Sequence, residues 1–327
     1  MRVCHRSAFA ILTCSAVLHG QAPTTNGSIP PIDVFAPTVL SLPASTRALG
    51  MGNVGVASRD DDVLFYNPAQ LAIARGMSAS GARYSPSARG GALSSVTRFN
   101  NGGIAVGMSM VDYEAPGPTL PGTEGDLNGK GVNQASSLDA VIGLAQVYKS
   151  VRVGVAAKYV EDQLPDVRIG RAAFDVGLAR DIMRFYTVGL AVQNIGGSTT
   201  YPCPTCTLTP SNLPPNPPLQ VRARLPLRTT LGAATARQLG PFDAAATVGL
   251  SMLRGDFLAP AGGGELGYSW LDGYSVALRL GAASPARSES RATGGLGLTI
   301  DRLTIDYALE SDWSLARVQH RIGVRVR

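Results

Sequence analysis

Residues Val151–Tyr159 read VRVGVAAKY, and their side chains alternate between two kinds. The first kind is apolar or aromatic: Val151, Val153, Val155, Ala157 and Tyr159. The second kind is small or cationic: Arg152, Gly154, Ala156 and Lys158. Because successive side chains of a β-strand point to opposite faces of a sheet, this stretch predicts a strand with one apolar and one polar face.

The same alternation recurs from Met77 to Arg327, where Gly, Pro, Asn and Asp separate the segments. It predicts strands of about nine residues or more, the length that a tilted strand needs to cross a bilayer. The fourteen predicted strands are 77–84, 91–99, 103–113, 135–148, 151–161, 169–180, 185–195, 221–236, 241–253, 263–270, 273–283, 290–300, 302–310 and 315–327.

The alternating faces fit a membrane barrel, with lipid outside and water or a plug inside. In strand 273–283, Tyr274 and Leu278 lie on the face opposite Arg279. A soluble β-sandwich reverses the roles of the two faces, and periodicity alone does not separate the two architectures.

The lengths of the predicted connections favour the barrel. Six connections are tight: 100–102, 149–150, 181–184, 237–240, 271–272 and 300–302. They alternate with longer ones at 114–134, 162–168, 196–220, 254–262 and 283–289, while the first connection, 85–90, is also short. Outer-membrane barrels have short periplasmic turns and longer external loops, and an even number of strands leaves both ends of the barrel in the periplasm. We therefore expect both mature termini to be periplasmic.

The composition supports a membrane protein without apolar helices. Only 16% of the residues are charged, although 45% are hydrophobic, whereas a soluble domain averages about 25% charged residues. After the first 20 positions no run of 18 apolar residues occurs, which excludes a transmembrane helix there. The net charge of +6 is spread singly along the strands, which does not favour nucleic-acid binding.

The N-terminal region is predicted to contain three segments before the barrel. Residues 1–20 read as a signal peptide, with Arg2 and Arg6 before an apolar core, so the chain is expected to be exported. Residues 21–44 form a Pro-rich leader that we expect to be extended and without regular structure. Residues 45–76 are expected to be a compact head, and residues 77–327 the barrel.

Two cysteines lie beyond the signal region, in Cys203-Pro204-Thr205-Cys206. A CxxC pair is compatible with a redox pair or with half of a zinc site, but no second CxxC or His pair lies nearby to complete a zinc set. In an oxidising compartment we interpret Cys203 and Cys206 as a local disulfide.

The head is centred on Ser45–Ala72, which reads STRALGMGNVGVASRDDDVLFYNPAQLA. Its acids Asp60, Asp61 and Asp62 suggest a Ca²⁺ loop, but they lack the alternating spacing of such loops. We interpret them as helix caps or as partners of inward-facing arginines. The predicted lumen-facing row is Arg228, Arg279, Arg291, Arg317, Arg321 and Arg325.

Catalysis is not indicated. The sequence contains no GxSxG, HExxH or Walker motif, and His320 is the only histidine beyond the signal region. We therefore predict neither an enzyme nor a cofactor or metal site.

The head resembles that of the PorV/PorQ family and, more distantly, of FadL-type transporters of hydrophobic compounds. The resemblance rests on Arg47-Ala48-Leu49-Gly50-Met51-Gly52, the three acids, and Tyr66-Asn67-Pro68-Ala69. It extends into the barrel through Gly189–Gly196, Leu225–Arg228 (LPLR, in the eighth strand) and His320–Gly323. It implies a fourteen-stranded outer-membrane barrel with an N-terminal hatch, in which Arg47, Gly50, Gly52, Asp60, Asp61, Asp62, Asn67 and Pro68 form the hatch motif.

Two functions follow from this resemblance, and a purely structural barrel is a third alternative, since a fold alone does not fix a function. The first is passive transport of small hydrophobic compounds across the outer membrane, with the head as a gate. The alternative is an accessory barrel of a secretion system that binds exported cargo proteins. The expected partners are outer-membrane lipid and either a hydrophobic small molecule or a cargo protein. In contrast to typical family members, the chain is short and ends Val324-Arg325-Val326-Arg327 without a terminal aromatic residue.

Overall fold

The fold is given by a computed structural model, which describes residues 32–115, 133–163, 168–183, 185–203, 219–255, 258–284, 290–312 and 317–327. All of these residues belong to one compact unit, Pro31–Arg327. Within them, no helix is both long and apolar enough to span a membrane.

Fourteen strands close into one antiparallel barrel, which confirms the predicted fold class. The barrel strands are β2 (Gly76–Ser85), β3 (Ala88–Phe99), β4 (Gly102–Ala115), β5 (Asn133–Tyr148), β6 (Val151–Gln163), β7 (Arg168–Met183), β8 (Tyr186–Ile195), β11 (Arg228–Leu239), β12 (Phe242–Leu253), β13 (Leu258–Leu271), β14 (Tyr274–Ala283), β15 (Arg291–Ile300), β16 (Leu303–Asp312) and β17 (Arg317–Val326). Pairing of β17 with β2 and of β8 with β11 completes the ring.

The two faces of the strands are those that the alternation predicts. In β6, Val153 and Val155 on the outer face are 43% and 51% exposed, whereas inward Arg152 and Lys158 are only 5% and 6% exposed. A soluble sandwich buries its apolar residues, so this distribution excludes that alternative.

Six two-residue connections lie at one end of the barrel, which we call the turn end. The opposite end, which we call the loop end, carries the longer connections and the two-residue connection between β2 and β3. Several of these turns contain a residue with positive φ, such as Lys149 at 56° and Gly240 at 64°. Positive φ in a two-residue hairpin matches the twist of the flanking strands.

Outward aromatic side chains are concentrated near the turn end. They are Phe99, Tyr148, Tyr186, Phe242, Tyr268, Trp270 and Tyr274. Phe242 and Tyr268 lie with their ring centroids 5.4 Å apart. A belt of this kind at one rim of an apolar band is typical of a membrane interface.

The predicted eighth strand, 221–236, is wrong in its first part. The structure divides this region into β10 (Leu219–Arg224) and β11, and the LPLR motif is their junction, with only Arg228 inside β11. Pro226 cannot donate to a strand ladder, so it ends the first strand. β10 is not a barrel strand; it belongs to a separate three-stranded sheet with β9 (Ser198–Cys203) and β1 (Ile32–Phe35).

The Pro-rich leader also differs from the prediction, because part of it is regular. Ile32–Phe35 forms strand β1, and Thr38–Ser41 forms a short 3-10 helix. The apolar, β-branched residues of β1 pair in parallel with β10, a partner that is distant in sequence. The prolines predicted an irregular leader, but pairing with the distant β10 makes Ile32–Phe35 a strand, because strand formation depends on the tertiary context.

The chain crosses the barrel before the first barrel strand begins. β1 lies at the loop end, because its partner β10 belongs to the connection between β8 and β11. β2 begins at the turn end, where the backbone of Arg327 also bonds to Arg302. Residues 36–75, here called the inner segment, join these two ends. The residues before 32 lie outside the described part of the chain.

Candidate functional site

The inner segment is built from short, capped turns. The helix α1 (Thr46–Gly50) begins at Ser45, whose hydroxyl accepts a hydrogen bond from the Ala48 amide at 3.2 Å. Two 3-10 helices follow, Asp61–Phe65 and Pro68–Ala72. The second begins at Asn67, as expected of a side chain that satisfies a free amide at a helix start.

Asn67 also ties the segment together and to the barrel. Its Oδ1 accepts a hydrogen bond from the Ala69 amide at 3.0 Å. Its Nδ2 donates to the carbonyl oxygen of Val56 at 2.8 Å and to that of Leu178, on β7, at 3.2 Å. The side chain is fully buried, so these bonds satisfy polar atoms that water does not reach.

Glycines on the inner faces of the strands give the segment its room. They are Gly103, Gly143, Gly154, Gly177, Gly189, Gly232, Gly249, Gly263, Gly281, Gly295 and Gly323. A Cβ atom at Gly263 would lie 2.6 Å from Cα of Met51, and one at Gly249 would lie 2.8 Å from Cγ1 of Val54. These glycines were not predicted as contacts of the inner segment, although glycine recurs in the sequence at inward-facing positions of successive strands.

A continuous network of ion pairs joins the inner segment to one side of the barrel. Arg47 lies 2.6 Å from Asp60 and 2.6 Å from Glu265. Arg325 bridges Asp60, at 3.4 Å, to Asp306, at 2.7 Å. The network consists of Arg47, Asp60, Glu265, Arg279, Asp306, Arg325 and Arg327.

Three arginines of this network form ion pairs with Asp60 of the inner segment: Arg47, Arg325 and Arg327. Burial by itself raises the pKa of its carboxyl, but the guanidinium of Arg47, followed by those of Arg325 and Arg327, outweighs burial and lowers the pKa well below its usual range. Asp60 therefore stays ionised at every physiological pH.

The other predicted motif residues lie in different surroundings. Gly52, with φ of 77°, donates its amide hydrogen to Thr293 on β15 at 3.0 Å. Gly50 packs against Arg279 on β14. Asp62 accepts hydrogen bonds from Ser78 and Ser94 on β2 and β3. The side chain of Asp61 lies outside the described part.

The predicted arginine row is divided between three roles. Arg279 and Arg325 belong to the ion-pair network. Arg321 instead donates to the carbonyl oxygens of Pro43, at 2.7 Å, and Ala44, at 2.6 Å. Arg228 and Arg291 line a cavity. The side chain of Arg317 lies outside the described residues, as does Cys206, while Cys203 is the last residue of β9.

Inward cations also occur outside the predicted arginine row: Lys158 lies on the face of β6 that the alternation predicts to be polar, and Arg171 was not predicted. Arg171, on β7, donates to the carbonyl oxygens of Ala223, at 2.8 Å, and Ala36, at 3.2 Å. Arg171 and Arg321 thus hold the start of the inner segment through its backbone. Lys158, on β6, forms a buried ion pair with Asp175, on β7, at 2.8 Å.

A cavity of about 240 Å³ lies between the inner segment and strands β8 and β11–β16. Its apolar lining includes Val54, Val56 and Ala261, and its polar lining includes Arg228, Arg291 and Glu310. Arg291 and Glu310 form an ion pair at 2.8 Å. We call this space the upper cavity, because it lies toward the loop end.

A smaller cavity of about 120 Å³ lies on the same side of the barrel, toward the turn end. Its lining includes Met51, Ala57, Phe185 and Thr247, and we call it the lower cavity. Val54 lines both cavities.

An apolar groove of about 700 Å³ lies outside the same part of the wall, over β11–β14. Leu231, Val248 and Leu250, which line it, are 45–61% exposed. The groove and the upper cavity share residues such as Pro260 and Ala261. The ladder between β12 and β13 is nevertheless continuous across this region.

Within the described residues, no group of three His, Cys, Asp or Glu side chains is placed to hold a metal ion. His320 lies on the outer face, where its Nδ1 is 2.7 Å from the hydroxyl oxygen of Tyr307.

Comparison with known proteins gives a fold but no family model. No protein-family model matches the chain, and no curated protein matches it. The Ralstonia pickettii toluene transporter TbuX is 14% identical over 88% of this chain and 100% of its own, with a TM-score of 0.58. This chain has the fold of that barrel.

Two further solved structures share the same fold. The Pseudomonas putida toluene transporter TodX is 12% identical over 91% of this chain and 98% of its own, with a TM-score of 0.56. The monoaromatic hydrocarbon channel CymD is 13% identical over 89% and 97%, also with a TM-score of 0.56. The finer resemblance to the PorV/PorQ family remains a prediction from the sequence motifs.

Proposed function

We propose that this chain is an outer-membrane barrel of the FadL type that transports small hydrophobic compounds passively. The observation that carries the proposal is a closed fourteen-stranded barrel that is apolar outside and encloses a partly apolar cavity beside the inner segment. Structures with the same fold are named as toluene transporters and as a monoaromatic hydrocarbon channel, which supports this substrate class.

The orientation follows from the two ends of the barrel. Short turns face the periplasm in outer-membrane barrels, so the turn end and Arg327 are assigned to the periplasm, and the loop end to the cell exterior. Residues 1–20 act as the signal peptide in this proposal. The predicted periplasmic position of the mature N terminus concerns residues outside the described part, but β1 lies at the end assigned to the exterior.

In this proposal the inner segment is the hatch. It contacts the inner faces of strands around the barrel and is joined to them by buried ion pairs, so it obstructs free diffusion through the lumen. The upper cavity is the substrate site. Its volume of about 240 Å³ is below the roughly 300–1,000 Å³ of sites for drug-sized ligands, which favours a small molecule.

The test is uptake of radiolabelled toluene by intact Gram-negative cells that retain lipopolysaccharide. Toluene crosses a plain phospholipid bilayer readily, so liposomes would hide a contribution from the protein. Cells that produce the protein are expected to take up toluene faster than cells with the empty vector. Equal rates at matched expression would contradict the proposal.

A matched pair of variants tests the cavity. Ser251 lines the upper cavity, whereas its neighbour Met252 lies on the outer face and is 46% exposed. We expect Ser251→Trp to fill the cavity and reduce toluene uptake at least fivefold, and Met252→Trp to leave it unchanged. Equal uptake by the two variants would remove the upper cavity from the route.

A further inference from the structure

We propose that the outer face of the barrel binds a phosphorylated glycolipid, the lipid A part of lipopolysaccharide, near the loop end of β17, β2 and β3. A cationic row, made of His320, Arg83 and Arg89, binds its phosphate groups, and one acyl chain lies in a shallow groove over Gly81. The proposal rests on the orientation given above, with the loop end outside the cell, and not on the transport of toluene.

The first argument is the register of the cationic row. His320 of β17 lies directly opposite Arg83 of β2, and Arg83 lies directly opposite Arg89 of β3. All three side chains are exposed, and the two arginines share the outward alternation of Met77 and Leu93. Neighbouring strands are about 4.8 Å apart, so the row is about 10 Å wide. Like charges directly opposite each other destabilise a sheet, and an anion bound between the two guanidinium groups removes that cost.

The protein itself does not balance the charge of this row. Within the described residues, neither Arg83 nor Arg89 forms an ion pair. The cross-strand neighbours of Arg83 are the other two members of the row, and the acid next in register is Asp112 of β4, opposite Arg89. At the other end of the row, the hydroxyl oxygen of Tyr307 lies 2.7 Å from Nδ1 of His320 and fixes the orientation of the ring.

The second argument is a groove on the turn-end side of the row. Gly81 and Ala79 follow Arg83 on the same face of β2, and a Cβ atom at Gly81 would meet nothing within 4 Å. Ile322 of β17, opposite Gly81, is 58% exposed, and Leu93 of β3, opposite Ala79, is 51% exposed. These larger side chains flank the two small ones. Packing within the protein does not require a glycine at position 81, whereas an acyl chain that lies along β2 uses the space that the glycine leaves.

The third argument is the position of the row relative to the membrane. Arg83 lies two residues before the end of β2, and apolar outward residues continue on its turn-end side. A charge inside the hydrocarbon region is costly, so long arginine side chains near its edge extend to the lipid headgroups. On the exterior side of an outer membrane, those headgroups carry the phosphates of lipid A.

The chemistry of the two parts favours a phosphorylated lipid over a free anion. A guanidinium group donates two parallel N–H bonds to phosphate oxygens, which gives arginine its preference for phosphate. Inorganic phosphate would use the cationic row alone. Lipid A carries its phosphates on the same sugar backbone as its acyl chains, so it occupies the row and the adjoining groove together.

Native mass spectrometry of the purified protein in detergent, freed of endogenous lipid, tests the proposal. The ligands are bisphosphorylated lipid A and the same lipid A after enzymatic removal of its phosphates. The bisphosphorylated form is expected to bind about tenfold more tightly, because only this form makes charge-assisted hydrogen bonds with the row. Equal affinity for the two forms, equal affinity for phosphatidylglycerol, or displacement by inorganic phosphate would each overturn the proposal.

Two matched pairs of substitutions locate the site. Arg83→Gln with Arg89→Gln removes two charges of the row, whereas Arg180→Gln with Arg237→Gln removes two exposed charges near the turn end. The first pair is expected to weaken the binding of bisphosphorylated lipid A about tenfold, and the second to leave it unchanged. Equal losses would assign the effect to net charge and overturn the proposal. The heat-dependent migration of each variant in gel electrophoresis shows whether its barrel is folded.

The groove is tested without a change of charge. Gly81→Leu fills it and is expected to weaken the binding of lipid A about threefold, because the acyl chain loses apolar contact area. Gly264→Leu adds the same side chain to the outer face of β13 and is the control, with no effect expected. Unchanged binding by the Gly81→Leu variant would overturn the assignment to a lipid. Because binding is measured in detergent, a protein that does not transport toluene can still bind lipid A, so the two proposals fail separately.

Discussion

At the residue scale, the inner segment depends on charges that satisfy one another away from water. The carboxylate of Asp60 forms ion pairs with Arg47 of its own segment and with the distant Arg325 and Arg327. A buried ion costs several kcal/mol in lost hydration, which only well-placed partners and hydrogen bonds offset. Asp60 therefore connects two distant parts of the chain through ion pairs, and we do not interpret it as a metal ligand.

Asp60→Asn is expected to destabilise the folded barrel by about 3 kcal/mol at pH 7, because it leaves buried guanidinium groups short of a partner. The measurement is urea-induced unfolding in detergent or lipid. Asp272→Asn, at an exposed turn, is the control and is expected to have no effect.

The stabilisation that the Asp60 carboxylate provides is expected to decrease only at acidic pH. The folded-state pKa of Asp60 is lowered, so its stabilisation is present above the unfolded pKa of about 4 and is lost as the pH falls through the folded value. We expect the difference in unfolding free energy between the two proteins to be constant from pH 7 to about pH 5 and to shrink only in stronger acid. A difference that disappears between pH 7 and pH 5 would contradict this assignment.

At the scale of elements, the barrel strands and the inner segment fit because glycine recurs on the inner faces. Strands close around a segment of irregular backbone only where that backbone can approach the sheet. Gly263 illustrates this requirement, since any side chain there meets the backbone of Met51. Its neighbour Gly264 points outward, where a Cβ atom would meet nothing closer than 3.5 Å.

Gly263→Val is expected to displace residues around Met51 and to make the inner segment sensitive to protease, whereas Gly264→Val should behave as wild type. Limited proteolysis followed by mass spectrometry locates the cleavage. The two substitutions add the same β-branched side chain to adjacent residues of one strand, so their intrinsic effect on strand stability is similar. Equal sensitivity would show that the inner face does not require glycine at this position.

At the scale of the whole molecule, the chain enters the barrel at the loop end and leaves the inner segment at the turn end. This path follows from two pairings, that of β1 with β10 and that of β17 with β2. If the turn end faces the periplasm, then β1 lies on the outer side of the membrane, and the inner segment runs through the barrel from the outer side to the periplasmic side.

Val34, which is 37% exposed on β1, tests this path. In a background with Cys203→Ser and Cys206→Ser, Val34→Cys is expected to react with a membrane-impermeant maleimide on intact cells. Asp301→Cys, at a two-residue turn, should react only after the cells are permeabilised. The reverse pattern would invert the proposed orientation, and labelling at neither site on permeabilised cells would contradict the exposure of both residues.

The alternation of side chains in the sequence determined the number of strands and the faces of residues such as Arg279 and Val153, while the alternating lengths of the connections favoured a barrel over a sandwich. This was possible because a strand has a period of two, which is a local property that survives without any knowledge of partners. The head motif was likewise visible in the sequence, as were Asn67 and Pro68 at the start of a turn.

The tertiary structure decided what the sequence left open. It separated β10 from β11, gave β1 a partner almost 190 residues away, and joined Arg47 to Glu265. It also placed Val54 beside both cavities. These features depend on which distant residues meet inside a closed ring, and since a periodic pattern fixes only the direction of a side chain, contacts across the lumen are set by closure of the barrel around the inner segment.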